Sequence, residues 1–237
     1  MGERGKGKND SPGGLKAVVF DVDGTFYQLR ELQRAVKLHY LQGHWHRPLE
    51  AWCVHRAVRA LQHATDTLRE SPPTDVDLSQ AHIELAAKTS RLPKEFVLDC
   101  WRQWMMEEPL QFLPKFRYKG VPGILAEMRE RGLHLGVFSD YPAVEKLRAL
   151  GVRDFFETVI SAQDPSVQRF KPDPRGLQVV LERLGVAPRQ AVFVGDRPGI
   201  DGIAAERAGM AFLVAGEAHA HPGGGFLRIW ERILAQL

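Results

Sequence analysis

The stretch Val18–Thr25, VVFDVDGT, decides the fold of this chain. Its first residues are β-branched or aromatic, which is typical of a strand that is buried on both faces of a parallel sheet. The apolar run stops at Asp21 and Asp23, and glycine and threonine follow at once. Two carboxylates this close repel each other unless cations compensate them, so the end of this strand is a candidate functional site.

Predicted strands and helices alternate along most of the chain. We predict the first strand over Leu15–Phe20. From about Leu29 to Met106 the apolar residues recur at helical spacing, which predicts four or so helices and no strand. Strand and helix then alternate, which favours an α/β fold with an open parallel sheet covered by helices on both faces. The later predicted strands are Leu133–Phe138, Phe156–Ile160, Ala191–Val194 and Met210–Val214, and the later predicted helices are Pro122–Arg131, Pro142–Leu150, Pro174–Leu184, Asp201–Ala208 and Leu227–Leu237.

The composition is that of an ordinary soluble globular protein. Of the 237 residues, 44% are hydrophobic and 26% are charged, and the net charge of +3 is too small to indicate a nucleic-acid partner. Cys53 and Cys100 have no CxxC spacing, so we expect neither a disulfide framework nor a thiolate metal site. No apolar run approaches the ~18 residues of a membrane span. We therefore predict a disordered basic tail over residues 1–14, no membrane partner and a cytoplasmic protein.

Polar residues follow three of the predicted strands. Asp21 and Asp23 follow the first strand, Ser139 and Asp140 the second, and Asp196 a later one. Ligands of open α/β sheets bind beyond the carboxyl ends of the strands, so we expect these side chains to meet at one edge. A carboxylate at such an edge can act as a nucleophile towards a phosphate ester, with Mg²⁺ and a lysine compensating the negative charge.

Four motifs in this order resemble those of the haloacid dehalogenase-like hydrolase superfamily. They are Asp21-Val22-Asp23-Gly24-Thr25, then Ser139, then Lys171 in RFKPDP, and finally Gly195-Asp196 through Asp201 in VGDRPGID. The resemblance spans roughly residues 15 to 215. It implies a doubly wound, Rossmann-like parallel sheet with an inserted α-helical cap domain.

The resemblance also implies catalytic roles for individual residues. Asp21 would be the nucleophile and would stay ionised, whereas Asp23 would give a proton to the leaving alcohol and then activate water. Ser139 would hydrogen-bond the phosphoryl group, and Lys171 would neutralise charge between it and Asp21. Gly24, Thr25 and Asp140 would complete the substrate-binding side of the site, where a side chain at position 24 would obstruct the phosphate.

The metal-binding set implied by the resemblance consists of four aspartates. Asp21, Asp23 and Asp196 would hold Mg²⁺, Asp23 through its backbone carbonyl, and Asp201 would support the ion directly or through its neighbours. Side chains alternate along a strand, so the chain must leave strand geometry at Val22 if Asp21 and Asp23 serve one site.

The resemblance divides the chain into a core and a cap. The core would comprise residues 15–27 and 111–237, and the helical cap residues 28–110 would close over the site. Phe26–Arg30 and Leu110–Lys119 would be the two connecting strands of the hinge. The aspartate at position 23 favours a phosphatase, because the dehalogenases of the superfamily lack a carboxylate there and P-type ATPases carry threonine.

Three functions stay open on the sequence alone. The first is a Mg²⁺-dependent phosphatase that hydrolyses a small phosphorylated metabolite through an aspartyl-phosphate. The second is a phosphomutase that acts on sugar phosphates, and the third is a catalytically idle scaffold. For the first, the partner is a small phosphate ester, and the enzyme is a monomer or a homodimer.

Overall fold

A five-stranded parallel sheet forms the centre of the computed structural model, which describes residues 14–74, 76–215 and 225–234. The strand order is β3-β2-β1-β4-β5, so the first strand lies in the middle and pairs with β2 on one side and β4 on the other. The chain order reverses at this strand, which is where α/β sheets bind their ligands. The predicted sheet is confirmed. The strands are β1 (Ala17–Phe20), β2 (His134–Ser139), β3 (Thr158–Ser161), β4 (Ala191–Gly195) and β5 (Ala211–Val214).

Ten α-helices surround the sheet or follow its first strand within the described residues. Short 3₁₀ and π-helical turns connect several of them. The α-helices are α1 (Leu29–His44), α2 (Pro48–Glu70), α3 (Leu78–Ser90), α4 (Lys94–Cys100), α5 (Leu113–Phe116), α6 (Val121–Glu130), α7 (Val144–Ala149), α8 (Arg175–Leu184), α9 (Ile203–Ala208) and α10 (Gly225–Leu234).

The alternation of side chains along β1 divides the core between the two faces of the sheet. Val18 and Phe20 belong to the apolar cluster that also contains residues of α6 and α10, whereas Ala17 and Val19 belong to the cluster with α8 and α9. All four side chains are fully buried. Both faces of the strand are therefore covered, as its continuous apolar run predicts.

Helices α1 to α4 pack around an apolar cluster of their own. Its buried members include Tyr40, Leu61, Ala86 and Val97, and Trp104 packs against them from a π-helical turn. The four helices match the number predicted for this stretch. The division of the chain at residues 28 and 110 stays a prediction.

The predicted hinge strands are wrong in their length, although the two segments do pair at one position. Tyr27 and Arg117 form a single antiparallel bridge, because α1 begins at Leu29 and α5 begins at Leu113. Pro114 lies in the first turn of α5, where its missing N–H costs nothing, whereas in a strand it would remove a ladder hydrogen bond.

The two ends of the chain are described only in part. Residues 1–13 of the predicted tail, and residues 235–237 of the last predicted helix, lie outside the described residues. The described part of that helix, α10, places Ile229, Trp230 and Ile233 in the core. No helix among the described residues is long and apolar enough to cross a membrane.

Candidate active site

The two aspartates of the first motif lie at the carboxyl end of the central strand. The Asp21 N–H still donates to Val194 O of β4 at 2.8 Å, which continues the pairing of β1. A turn follows directly, in which the N–H groups of Thr25 and Phe26 both lie 3.2 Å from Val22 O. The chain thus leaves strand geometry after Val22, and both carboxylates line one cavity.

Lys171 is a buried cation between two carboxylates. Its Nζ lies 2.6 Å from Asp21 Oδ1 and 2.7 Å from Asp201 Oδ1, and its side chain is fully buried. Burial alone would lower the pKa of Lys171, but Asp201 and Asp21 hold it above its ordinary value. The lysine therefore stays charged beside Asp21.

Three aspartates from three segments form an acidic cluster. One carboxylate oxygen each of Asp21, Asp196 and Asp201 lies within 4.8 Å of the others. Among the described residues, neither Asp21 Oδ2 nor Asp196 Oδ1 has a hydrogen-bond partner, although both atoms are buried. Burial raises the pKa of Asp196 to about 6, and Asp201 adds to the effect. Asp196 Oδ1 lies 3.7 Å from Arg197 Nε, which is too far for a hydrogen bond. Buried carboxylate oxygens without a hydrogen-bond donor are ligands that fit a hard divalent cation.

Asp23 points to a different set of groups from Asp21. Lys146 Nζ lies 2.7 Å and 2.8 Å from its two carboxylate oxygens, and the Tyr27 hydroxyl donates a hydrogen bond to Oδ1. Burial would raise the pKa of Asp23, but Lys146 and Tyr27 together hold it below its ordinary value. The Asp23 carboxylate lies outside the acidic cluster.

The electrostatics of the two aspartates differ from what the sequence predicts. Burial raises the pKa of Asp21 to about 7 in the protein without a cation, because Lys171 compensates it only in part. Asp23, the predicted proton donor, has the lower pKa because of Lys146. A divalent cation at the acidic cluster would favour the ionised form of Asp21 and so bring its charge back to the predicted state.

Gly24 allows a close approach between the first and fourth motifs. Its φ is +85°, and a Cβ at this position would lie 2.1 Å from Asp196 Oδ2. The predicted reason for this glycine was room for a phosphate, whereas the structure places the Asp196 carboxylate against it. Thr25, next in the turn, is fully buried.

The end of β2 carries Ser139 and Asp140, both buried. Asp140 Oδ2 lies 2.6 Å from Arg69 and 3.0 Å from Arg197, and Oδ1 accepts the Lys171 N–H at 3.1 Å. Burial would raise the pKa of Asp140, but these cations hold it well below its usual range. These contacts of Asp140 connect three segments of the site, which is a structural role. Substrate binding by Asp140 stays a prediction.

Three cationic side chains and one tyrosine hydroxyl at the site are not predicted from the sequence. Lys146 lies on the helix that follows the second motif, and Arg197 stands beside Asp196, so their positions in the chain offered a signal. The sequence gives no such signal for Arg69 or Tyr27. Arg69 reaches Asp140 from α2, and the turn after β1 brings the Tyr27 hydroxyl to Asp23.

A cavity of about 820 Å³ opens above these groups. Asp21, Asp23 and Ser139 lie at its inner end together with Lys146 and Arg197, and α1 and α2 supply most of its walls. Its position at the carboxyl edge of the sheet is that of a ligand site in α/β proteins.

The fold and the site define an α/β protein with a buried aspartate–lysine pair and an acidic cluster at one edge of the sheet. The family model for a haloacid dehalogenase-like hydrolase matches residues 15–209. The chain belongs to this family of hydrolases. The family and enzyme class predicted from the motifs are confirmed.

Individual relatives extend over most of the chain. A glyceraldehyde 3-phosphate phosphatase from Methanopyrus kandleri is 30% identical over 200 residues, which cover 83% of this chain and 82% of that protein. A phosphoglycolate phosphatase from Yersinia pseudotuberculosis is 27% identical over 207 residues, covering 82% and 78%. The crystal structure of a HAD phosphatase from Thermococcus onnurineus has a TM-score of 0.60 at 24% identity and covers 94% of this chain and 99% of that chain. That likeness confirms the fold.

Proposed function

We propose that the protein is a Mg²⁺-dependent phosphatase that hydrolyses a phosphorylated metabolite through an aspartyl-phosphate intermediate. The observation that carries the proposal is the buried contact between Lys171 Nζ and Asp21 Oδ1, at 2.6 Å, beside the acidic cluster. A carboxylate with one oxygen held by a cation and the other unpartnered is oriented for attack. The phosphatase names of the relatives support the same reaction.

The first half of the reaction joins Asp21 to the phosphoryl group. A carboxylate oxygen of Asp21 attacks phosphorus, and the bond from phosphorus to the ester oxygen breaks. Asp23 gives its proton to the leaving alcohol, and Lys171 and Ser139 hold the charge on the phosphoryl oxygens.

The second half regenerates the enzyme. Asp23, now a carboxylate held by Lys146 and Tyr27, takes a proton from water, and the water oxygen attacks phosphorus. The bond from phosphorus to Asp21 breaks, inorganic phosphate leaves, and Asp21 is a carboxylate again. The ion pair with Lys146 keeps Asp23 ionised, as the base role requires, but opposes the acid role in the first half. Asp23 must therefore take up a proton from solvent as the anionic substrate binds, since a nearby negative charge raises its pKa.

The acidic cluster is the proposed cation site. Asp21, Asp196 and Asp201 would hold Mg²⁺, and the Asp23 backbone carbonyl would join them. A bound Mg²⁺ supplies positive charge that stabilises the phosphoryl oxygens in the transition state. Gly24 keeps the turn close enough to Asp196 for these groups to share one site.

The helices α1 to α4 are the proposed cap. Arg69 of α2 reaches over the site to Asp140 at 2.6 Å and so holds the helices against the end of β2. Closure of such a layer excludes water from the reacting groups. Residues 28–110 would then select the organic part of the substrate.

Replacement of the nucleophile tests the reaction. The Asp21→Asn variant keeps the shape of the side chain but loses its charge, so turnover of p-nitrophenyl phosphate with Mg²⁺ should fall by at least about a thousandfold. Asp154→Asn, an exposed aspartate away from the cavity, should retain the wild-type rate. The proposal fails if the Asp21→Asn variant stays active, or if the wild type hydrolyses nothing in a broad panel of phosphate esters.

A further inference from the structure

The cavity above Asp21 changes character with distance from the strand ends. Arg69, Lys146 and Arg197 line its inner end beside Asp21, Asp23 and Asp140, and each of these cations is ion-paired with Asp23 or Asp140. They are the groups that would receive the phosphate of a substrate. Farther out, the lining is mostly apolar. We define this apolar wall as Leu32, Val36 and Tyr40 of α1, Val54 and Val58 of α2, and Trp104.

The two helices that form the apolar wall run outward from the reacting groups. The start of α1 lies beside Tyr27, which bonds Asp23, and Arg69 near the end of α2 bonds Asp140. At 1.5 Å per residue, the path along α1 from Leu29 to Tyr40 covers about 16 Å. The path along α2 from Arg69 back to Val58 is as long. The apolar wall therefore continues for more than the length of a three-carbon phosphate.

The size of the cavity matches this reach. Its volume of about 820 Å³ lies in the upper part of the range of about 300–1,000 Å³ that holds drug-sized ligands. Leu32, Tyr40 and Val54 are already buried by the packing of the helices, so a substrate as small as those named for the relatives would leave Val36, Val58 and Trp104 as the partly exposed members of the apolar wall. Apolar surface of this extent gains free energy only when an apolar group covers it.

We propose that the substrate is a phosphate monoester of a bulky apolar alcohol, with its phosphate at Asp21 and its apolar group along the apolar wall. This inference rests on the phosphatase function proposed above. The arrangement of charge supports it, because Arg69, Lys146 and Arg197 lie at the inner end of the cavity. Among the other lining residues of α1 and α2, the charged ones are Lys37, Arg59 and Asp66. One occupant with an anionic head and an apolar body fits both parts.

A series of n-alkyl phosphates from propyl to octyl tests the inference, used below micelle-forming concentrations. Burial of each further methylene should raise kcat/KM about two- to fourfold, until the chain passes the end of the apolar wall. Adenosine 5′-monophosphate, a bulky polar phosphate ester, serves as the comparison and should be a poor substrate. Equal kcat/KM across the series, or preference for the nucleotide, would overturn the inference.

Binding separates this inference from the reaction. Dissociation constants for the same series, measured by calorimetry with the Asp21→Asn variant, should fall about two- to fourfold per methylene. If affinity rises with chain length and the wild type has no turnover, binding of an apolar group along the apolar wall is supported and the phosphatase function fails. If the wild type is active and affinity does not depend on chain length, the phosphatase function stands and the proposed binding along the apolar wall is wrong.

A matched pair of variants on one helix locates the effect. Val36→Asn places an amide in the apolar wall, and its kcat/KM for octyl phosphate should fall about tenfold more than its kcat/KM for propyl phosphate. Leu38→Asn, on the exposed side of α1, should change neither value. The same loss in both variants, or no loss in Val36→Asn with its melting temperature unchanged, would contradict the proposed position of the apolar group.

Discussion

Gly24 links the turn after β1 to the proposed cation site at the scale of one residue. In Gly24→Ala the new Cβ would meet Asp196 Oδ2, which lies 2.1 Å from its position. We expect Asp196 to move and the Mg²⁺ concentration for half-maximal activity to rise about tenfold, as for disturbed neighbours of metal ligands. A titration of activity against Mg²⁺ measures this change.

Gly132 provides the control for backbone strain. Its φ of +80° is close to that of Gly24, but a Cβ there would meet nothing within 4 Å. Gly132→Ala should lower the free energy of unfolding by about 1 kcal/mol and leave the Mg²⁺ dependence unchanged. If both variants shift the Mg²⁺ dependence equally, the contact with Asp196 is not the cause.

The residues at the site differ in how far their positions along the chain reveal them. Asp21, Lys171 and Asp196 stand in short motifs whose order alone suggests a common site. Lys146 and Arg69 stand on helices, where a lysine or an arginine is usually a solvated residue. Only the packing of those helices brings them to Asp23 and Asp140, at 2.7 Å and 2.6 Å.

At the scale of the elements, α8 packs on β2 through a glycine. A Cβ at Gly176 would lie 2.0 Å from the ring of Phe138, so in Gly176→Ala either the buried ring or α8 must move. We expect the free energy of unfolding to fall by about 1–3 kcal/mol. Urea denaturation measures this loss.

Gly123 of α6 is the matched helical glycine, because a Cβ there would meet nothing within 4 Å. Gly123→Ala should raise the free energy of unfolding by about 0.5–1 kcal/mol, since alanine loses less backbone entropy than glycine in a helix. If Gly123→Ala lowers the free energy of unfolding, or if Gly176→Ala leaves it unchanged, the contact with Phe138 is not what destabilises Gly176→Ala.

The connection between β1 and α1 is the element that sequence reasoning misjudged. The sequence predicts extended segments on both sides of the helical stretch, whereas in the structure Tyr27 and Arg117 are the one pair that these two segments form. The helical periodicity of the following residues extends back to Leu29, so α1 leaves little room for a strand. Such boundaries depend on packing that local patterns do not contain.

At the scale of the whole molecule, the cation site should contribute to stability. Mg²⁺ bound at the proposed site would relieve the repulsion among Asp21, Asp196 and Asp201, and an ion that binds the folded chain better than the unfolded one stabilises the fold. At a hundred times its dissociation constant it should add about 2.7 kcal/mol and raise the melting temperature by about 5–10 °C.

Thermal melting with and without Mg²⁺, at equal ionic strength, measures this effect. Asp196→Asn should lose most of the Mg²⁺-dependent increase, whereas Asp154→Asn should keep it in full. An equal increase in both variants would place the ion away from the acidic cluster.

The sequence by itself determined the α/β sheet, the order of the motifs and the family, because strand and helix periodicity and the residues at strand ends are local properties. The tertiary structure decided which charges compensate the aspartates, why Gly24 is needed and what covers the site. Those features arise where side chains from distant segments converge. The distances between these side chains and their burial set the strength of the electrostatic and packing interactions. The apolar wall belongs to this second group, since α1 and α2 form it only when they pack together over Asp21.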